Sequence, residues 1–193
     1  STFRGCNKLY NIDLSSTKLE EVPTYCFYDC SNLQSIILPA SLKTIGNVAF
    51  YGCYKVRNID LSTTSLTKIE SWFSNTDSLR TVKLPNTVTE IGENAFYNSP
   101  IEEINFPAAL ITIGDGAFYG NQLKIIDLSA TKFNTINNWF AGNKKLRTVK
   151  LPETVTSLGE GAFDNCYIEK INFPSTLTTI GERSLRYCRI DTL

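Results

Sequence analysis

One pattern of apolar and polar positions repeats along the whole chain. A short phrase with apolar residues at its first, fourth and sixth positions recurs as LYNIDL, LQSIIL, VRNIDL, LRTVKL, IEEINF, LKIIDL, LRTVKL and IEKINF, starting at 9, 33, 56, 79, 101, 123, 146 and 168. The starts lie 22 to 24 residues apart. Units of this length cannot bury their apolar face alone and are typical of stacked solenoids. The sequence therefore predicts a single solenoid domain over 1–193, with eight repeats and a partial repeat at each end.

Each unit predicts a strand, a second short strand and a turn. In the unit at 33–55, Ile36 and Leu38 point to the core from a first strand, which Pro39 ends because proline lacks a backbone N–H. Ile45 belongs to a second, shorter extended stretch. A glycine follows this stretch in five units, where we expect it to permit a left-handed turn. These glycines are Gly46, Gly92, Gly114, Gly159 and Gly181.

A phenylalanine occupies one position of the turn in successive units. The residues are Phe3, Phe27, Phe50, Phe73, Phe96, Phe118, Phe140 and Phe163, and Leu185 takes the same position in the last unit. Stacked units would bring these rings into one buried column, called the Phe column below. With a short helical or 3₁₀ turn carrying each ring, the expected fold class is an α/β repeat solenoid. Its parallel strands would form one face, and short strands with 3₁₀ or α turns the other.

Composition excludes several function classes. Nineteen Lys and Arg balance nineteen Asp and Glu, so the chain lacks the positive electrostatic field that would attract a nucleic acid. No apolar run is long enough for a membrane span, so we expect no membrane insertion. The sequence has no His, and Asp60 and Asp127 would lie about 14 Å apart, too far for a glycosidase pair. We expect neither an enzyme nor a cofactor.

Six cysteines follow the repeat. Five of them, Cys6, Cys30, Cys53, Cys166 and Cys188, share a position that holds Thr76, Ser99, Asn121 and Asn143 in the other units, and this set is called the Cys column below. A position that accepts all these residue types favours small buried groups that bond to loop backbone. Disulfides between neighbouring units, such as one joining Cys30 and Cys53, remain the alternative. A zinc site is disfavoured because the chain has no CxxC pair and no His.

Polar residues on the first strand of each unit form columns across the solenoid, called the strand face below. The Asp60 column comprises Asp13, Ile37, Asp60, Lys83, Asn105, Asp127, Lys150 and Asn172. The Arg80 column comprises Tyr10, Gln34, Arg57, Arg80, Glu102, Lys124, Arg147 and Glu169. Opposite charges are expected to pair between units as Asp60 with Lys83, Arg80 with Glu102, Asp127 with Lys150, and Arg147 with Glu169.

The strand face has two interpretations: a ladder of charges that keeps the chain in solution, or a patterned recognition surface. Under the second, the candidate binding residues are Arg57, Asp60, Arg80, Lys83, Glu102, Asn105, Lys124, Asp127, Arg147 and Lys150. Other aromatic residues offer a second candidate surface. A tyrosine directly follows four of the column phenylalanines, and a tryptophan directly precedes two others. These residues are Tyr28, Tyr51, Tyr97, Tyr119, Trp72 and Trp139. They are interpreted either as binding residues or as side chains that fill the core.

The phrase LP-x-x-L-x-x-IG-x-x-AF-x-x-C at 38–53, with close copies from 84, 151 and 173, resembles the BspA-like class of leucine-rich repeats found in microbial surface antigens. The units at 9, 56 and 123 depart from it, since they read IDLS in place of LP and lack the glycine. The resemblance implies a cell-surface or secreted protein that binds a host or matrix protein.

We therefore expect a non-catalytic protein-binding or adhesion module. The alternative is a structural protein. Neither end of the sequence carries a polar capping segment, which is expected either of a segment of a longer array or of a body whose open units stack end to end by self-association into filaments.

Overall fold

The computed structural model describes residues 2–73 and 76–190, which coil into a solenoid of short parallel strands. The strands of the strand face are β1 Asn11–Asp13, β3 Ser35–Ile37, β5 Asn58–Asp60, β7 Thr81–Lys83, β9 Glu103–Ile104, β11 Ile125–Asp127, β13 Thr148–Lys150 and β15 Lys170–Asn172. The strands of the second side are β2 Glu21–Val22, β4 Thr44–Ile45, β6 Lys68–Ile69, β8 Glu90–Ile91, β10 Thr112–Ile113, β12 Thr135–Ile136, β14 Ser157–Leu158 and β16 Thr179–Ile180.

Strands pair in parallel with the equivalent strand of the neighbouring unit. The inward residues are in register, for example Ile59 opposite Val82. On the strand face the sheets are β1–β3, β5–β7–β9 and β11–β13–β15, and the second side is divided in the same way. Both sides are therefore interrupted just before the units at 56 and 123, which read IDLS. The solenoid consists of one block of two units and two blocks of three.

The α/β class is not confirmed. In the described ranges the helical structure is a single 3₁₀ turn, Ser71–Phe73. Elsewhere the third side is built from turns whose amides point along the solenoid axis. The N–H groups of Asn94, Phe96 and Asn98 donate to carbonyls of the next unit at 3.1, 2.9 and 2.9 Å. Because these donors are satisfied between units, no helix is needed to pair them.

The five glycines after the second strand do not adopt the left-handed conformation that we predicted for them. Close approach of neighbouring backbone requires glycine instead at three of them, Gly46, Gly114 and Gly181. A Cβ on Gly46 would collide with the backbone of Thr24 in the preceding unit, and one on Gly181 would lie 2.8 Å from the backbone of Gly159. Left-handed φ angles occur on the third side, at Asn94 and Asn98 among others.

The Phe column forms the centre of the core. Ring centroids from Phe3 to Phe163 are spaced 5.1 to 6.3 Å apart, and neighbouring planes differ by no more than 19°. From Phe27 onward each ring is buried, and Leu185 packs against the core. Trp72 and Trp139 are also buried, which assigns them to the core instead of a binding surface.

The Cys column supplies hydrogen-bond donors to the Phe column. The thiols of Cys53 and Cys166 lie 3.2 Å from the carbonyl oxygens of Phe27 and Phe140 in the preceding units. The amide of Asn143 donates to the equivalent carbonyl of Phe118 at 2.8 Å. One backbone acceptor thus explains why Cys and Asn exchange at this position. All six cysteines are free thiols in the structure.

An asparagine side chain replaces part of the backbone ladder in the last unit of each three-unit block. Asn105 Oδ1 accepts from the Leu84 N–H at 2.7 Å, and Asn105 Nδ2 donates to the Leu84 carbonyl at 3.0 Å. Asn172 makes the same two bonds with Leu151. These amides hold the third unit where the strand pairing ends.

Removal of one ring from the Phe column should strongly destabilise the fold. We expect Phe96→Ala and Phe118→Ala each to lower the free energy of unfolding by about 3–5 kcal/mol, since stacked neighbours cannot collapse into the void. Tyr97→Ala, which removes a half-exposed ring beside the column, should cost clearly less. Urea denaturation measures both. Equal midpoints for the Tyr and Phe variants would contradict a core centred on the Phe column.

The buried thiols should make stability depend on alkaline pH. Burial raises the pKa of Cys53 and of Cys166 to about 12, whereas an unfolded thiol has a pKa of about 8.5. Below pH 8.5 their contribution is fully present, and it is lost as the pH rises toward 12, because only the unfolded thiols ionise. We expect the urea midpoint of the native chain to fall from pH 8 to pH 10.

A double variant, Cys53→Ser with Cys166→Ser, is the matched control because serine keeps the hydrogen bond and does not titrate. Its urea midpoint should fall less over the same pH interval. Thiol counting in denaturant with and without reductant should give the same number. A lower count without reductant would instead favour the disulfide alternative.

Loss of the Asn105 amide should destabilise the fold more than loss of an exposed charge beside it. We expect Asn105→Ala to cost about 1–3 kcal/mol, because the part-buried Leu84 N–H loses its acceptor. Lys83→Ala, which removes one half of an exposed ion pair, should leave the urea midpoint nearly unchanged. Equal losses in the two variants would show that the amide does not hold the unit.

Candidate functional site

The strand face places the ten candidate residues in the predicted columns. Asp60 and Lys83 are direct partners in the β5–β7 register, and Asp127 and Lys150 are partners in β11–β13. In the Arg80 column, the N–H of Arg80 donates to the carbonyl of Arg57 at 2.7 Å. Arg80 and Glu102 are half-buried, and the other eight candidates are exposed. The alternation of the strands turns these side chains outward while the neighbouring Ile and Val fill the core.

The four predicted ion pairs are confirmed. Their nitrogen–oxygen distances are 3.3 Å for Lys83–Asp60, 3.8 Å for Arg80–Glu102, 2.8 Å for Lys150–Asp127 and 3.0 Å for Arg147–Glu169. A fifth pair, Lys124–Glu102 at 2.6 Å, was not predicted. It crosses the interruption between β9 and β11, and hydrogen bonding to Lys124 lowers the pKa of Glu102 below its usual value.

The aspartates of the IDLS units at 56 and 123 form ion pairs and also stabilise the turn that follows the strand. Asp60 Oδ1 accepts from the Ser62 N–H at 2.9 Å and from the Ser62 hydroxyl at 2.5 Å. These bonds, and then Lys83, lower the pKa of Asp60. Asp127 is held by Lys150 and Ser129 in the same manner. One carboxylate oxygen closes the turn after the strand, and the other meets the lysine of the next unit.

Asn105 is less available for binding a partner than predicted. Its amide is committed to the Leu84 backbone, so its role in this structure is to hold the strand face together. The side chain that remains uncommitted is Arg57, which has no acidic side chain within ion-pair distance in the described part of the chain. It borders a hollow of about 490 Å³ together with Gln34, Lys55, Asn58 and Ser78.

A third column lies between the two predicted ones and was missed. It comprises Asn11, Ser35, Asn58, Thr81, Glu103, Ile125, Thr148 and Lys170, and is called the Asn58 column below. The signal was present, because each repeated phrase has two consecutive outward positions before its central Ile or Val. A second hollow of about 500 Å³ lies beside Thr81, Lys83 and Glu103.

The described residues contain no group of three or more His, Cys, Asp or Glu side chains arranged to hold a metal ion. Nor do these ranges include a helix with the length and apolar character needed to cross a membrane. The strand face itself presents paired charges, amides and hydroxyls on strands held in register.

Several solved structures are similar to this chain. A leucine-rich cell surface protein from Faecalibacterium prausnitzii is 24% identical, with a TM-score of 0.57, over 91% of this chain and 57% of its own. A leucine-rich repeat protein of T. pallidum is 27% identical, with a TM-score of 0.57, over 92% of this chain and 76% of its own. A leucine-rich repeat protein from Eubacterium ventriosum is 20% identical, with a TM-score of 0.53, over 91% of this chain and 56% of its own.

These likenesses show that the solenoid has the leucine-rich repeat fold, and this chain spans little more than half of the F. prausnitzii protein. No match is found among curated proteins. The family model for the BspA type leucine rich repeat region, with six copies, matches residues 1–72 and 70–191, which is nearly the whole sequence. The chain therefore belongs to the family of BspA-type leucine-rich repeat proteins.

Proposed function

We propose that the chain is a non-catalytic protein-binding module whose strand face recognises a protein partner. The observation that supports this is the in-register arrangement of three outward columns, which repeat across the units and are fixed by backbone pairing. A rigid surface loses little conformational entropy when it binds, so its exposed charges and amides can contribute to affinity.

Recognition must extend over several units. A standard interface buries about 800 Å² on each partner, and one unit presents only three outward side chains. The block at 56–122 is repeated at 123–189, and equivalent units of the two blocks are three strand spacings, about 14 Å, apart. A partner with its own repeated or extended surface would engage both blocks at once.

The charges of the strand face favour a partner whose surface carries both positive and negative charges. Arg80 and Arg147 occupy equivalent positions in the two blocks, each paired with a glutamate of the next unit. Such exposed pairs exchange readily for intermolecular ones, so they set specificity and association rate more than fold stability. Arg57 has no such pair to break, which makes it the strongest single contributor that we propose.

A cell-surface location and a role in adhesion to a host or matrix protein are part of the proposal. The support is the BspA-type family and the likeness to a protein described as a cell surface protein. The self-assembly alternative predicts particles that grow with concentration, which light scattering detects, and growth that is independent of charge on the strand face.

Charge reversal on the strand face should weaken partner binding without unfolding the chain. We expect Arg57→Glu, and the double variant Arg80→Glu with Arg147→Glu, each to lower affinity for a bound partner at least tenfold, in a salt-dependent manner. Urea midpoints should change little, because exposed pairs contribute little to stability. Biolayer interferometry against immobilised collagen, laminin and fibronectin measures the affinity.

Lys43→Glu is the matched control. It makes the same change of charge on the second side, where Lys43 is exposed and pairs with Glu20 at 2.9 Å. Its affinity should equal that of the native chain. An equal loss in the control, or full affinity in both arginine variants, would place recognition elsewhere.

A further inference from the structure

A row of tyrosines on the third side is interrupted by a notch. The row, called the Tyr edge below, consists of the residues that directly follow the Phe column. Tyr97 and Tyr119 stack with ring centroids 5.1 Å apart and planes 10° apart. The next position of the row is Ala141, which has no ring, and Asp164 follows it. One face of Tyr119 is therefore covered by Tyr97, and the other is open to the notch.

The notch is a groove of about 610 Å³ lined by polar groups around the open ring. Tyr119 remains 40% exposed, so its face is accessible. Asn137 and Asn138 border the groove with exposed side chains, whose amides have no hydrogen bond within the residues the structure describes. Asp115 supplies an exposed carboxylate on the same rim.

Asp164 is a fixed acceptor on the far wall. Its two carboxylate oxygens accept from Arg186 Nε at 2.8 Å and Arg186 Nη2 at 2.6 Å. These bonds lower the pKa of Asp164, so the side chain is ionised at neutral pH. A carboxylate retains further lone pairs after such a pair of bonds, and they remain free to accept from a ligand.

These groups match the two surfaces of a sugar ring. A pyranose presents a patch of C–H groups, which packs on the electron-rich face of an aromatic ring. It also presents hydroxyls that each donate and accept hydrogen bonds. Asparagine amides do both, and carboxylates accept, so the groove offers complementary partners to several hydroxyls at once.

The charges of the groove disfavour an acidic ligand. The carboxylates of Asp115, Glu160 and Asp164 outnumber Arg183 on its lining, and Arg186 beside it is already bonded to Asp164. We propose that the notch between Tyr119 and Asp164 binds a neutral saccharide, with the ring of Tyr119 as its platform. None of the ten strand-face candidates lines this groove, so the saccharide site is separate from the proposed protein-binding surface.

A filled notch gives the sharpest test. Ala141→Tyr should place a ring against the open face of Tyr119, as Tyr97 covers the other face. Four other units carry tyrosine at this position. We expect the urea midpoint of this variant to equal or exceed that of the native chain, and we expect the variant to lose saccharide binding.

The experiment compares the native chain with three variants on an array of neutral and acidic oligosaccharides, read by bound fluorescence. We expect the native chain to bind neutral glycans and not uronic or sialic acid glycans. Tyr119→Ala should reduce affinity about fivefold to tenfold, the loss expected for one stacked ring. Tyr28→Ala is the control, since Arg4 and Tyr51 cover that ring and it lies outside the groove.

Loss of binding in Ala141→Tyr together with native binding in Tyr28→Ala would establish the site. The proposal is overturned if the native chain binds no neutral glycan, if it prefers acidic ones, or if Ala141→Tyr binds as well as the native chain. Because Ala141→Tyr is read alongside its urea midpoint, loss of folding cannot be mistaken for loss of the site.

Discussion

The stacking of the Phe column sets the geometry on which the rest of the structure depends. Rings at 5.1 to 6.3 Å match the spacing of paired parallel strands, about 4.8 Å, closely enough for core and backbone to advance together. The Cys column ties this core to the backbone, because its donors bond to the carbonyls of the Phe residues. A side chain that altered the rise at one unit would therefore strain the ring stack and the hydrogen bonds together.

Units built on this common spacing are nevertheless unequal. Each IDLS unit opens a block, and its aspartate closes a serine turn. At the IDLS units that start at 56 and 123, the strand pairing with the preceding unit is lost on both sides. Other contacts cross the interruption, including the Lys124–Glu102 pair and the bond from the Phe118 N–H to the Trp139 carbonyl. Ala141, which opens the notch in the Tyr edge, also lies in an IDLS unit. Arg57 likewise belongs to the IDLS unit at 56, so the uncommitted groups of both candidate sites lie where the strand pairing is interrupted.

Features set by the period of the sequence were predictable. The repeat fixes which residues face each other between units, so the Phe column and all four ion pairs follow from spacing alone. Features that depend on the distance between units could not be predicted from the sequence. Gly46 is required because Thr24, 22 positions earlier, passes too close for a Cβ. The bonds of Asn105 to the Leu84 backbone likewise depend on where the strand ladder ends, which no single unit reveals.

The residues that give the strand face its pattern are in large part the residues that join its units to one another. Asp60 is shared between Ser62 and Lys83, Glu102 between two cations, and the Asn105 amide is fully engaged with backbone. A partner that used these groups would exchange bonds that already exist for intermolecular ones, so these groups set specificity and association rate more than net affinity. Groups without such bonds offer more free energy on binding, since only their water is displaced. By this reasoning affinity should concentrate at Arg57 and the Asn58 column on the strand face and, for a ligand of different chemistry, at the open ring of Tyr119.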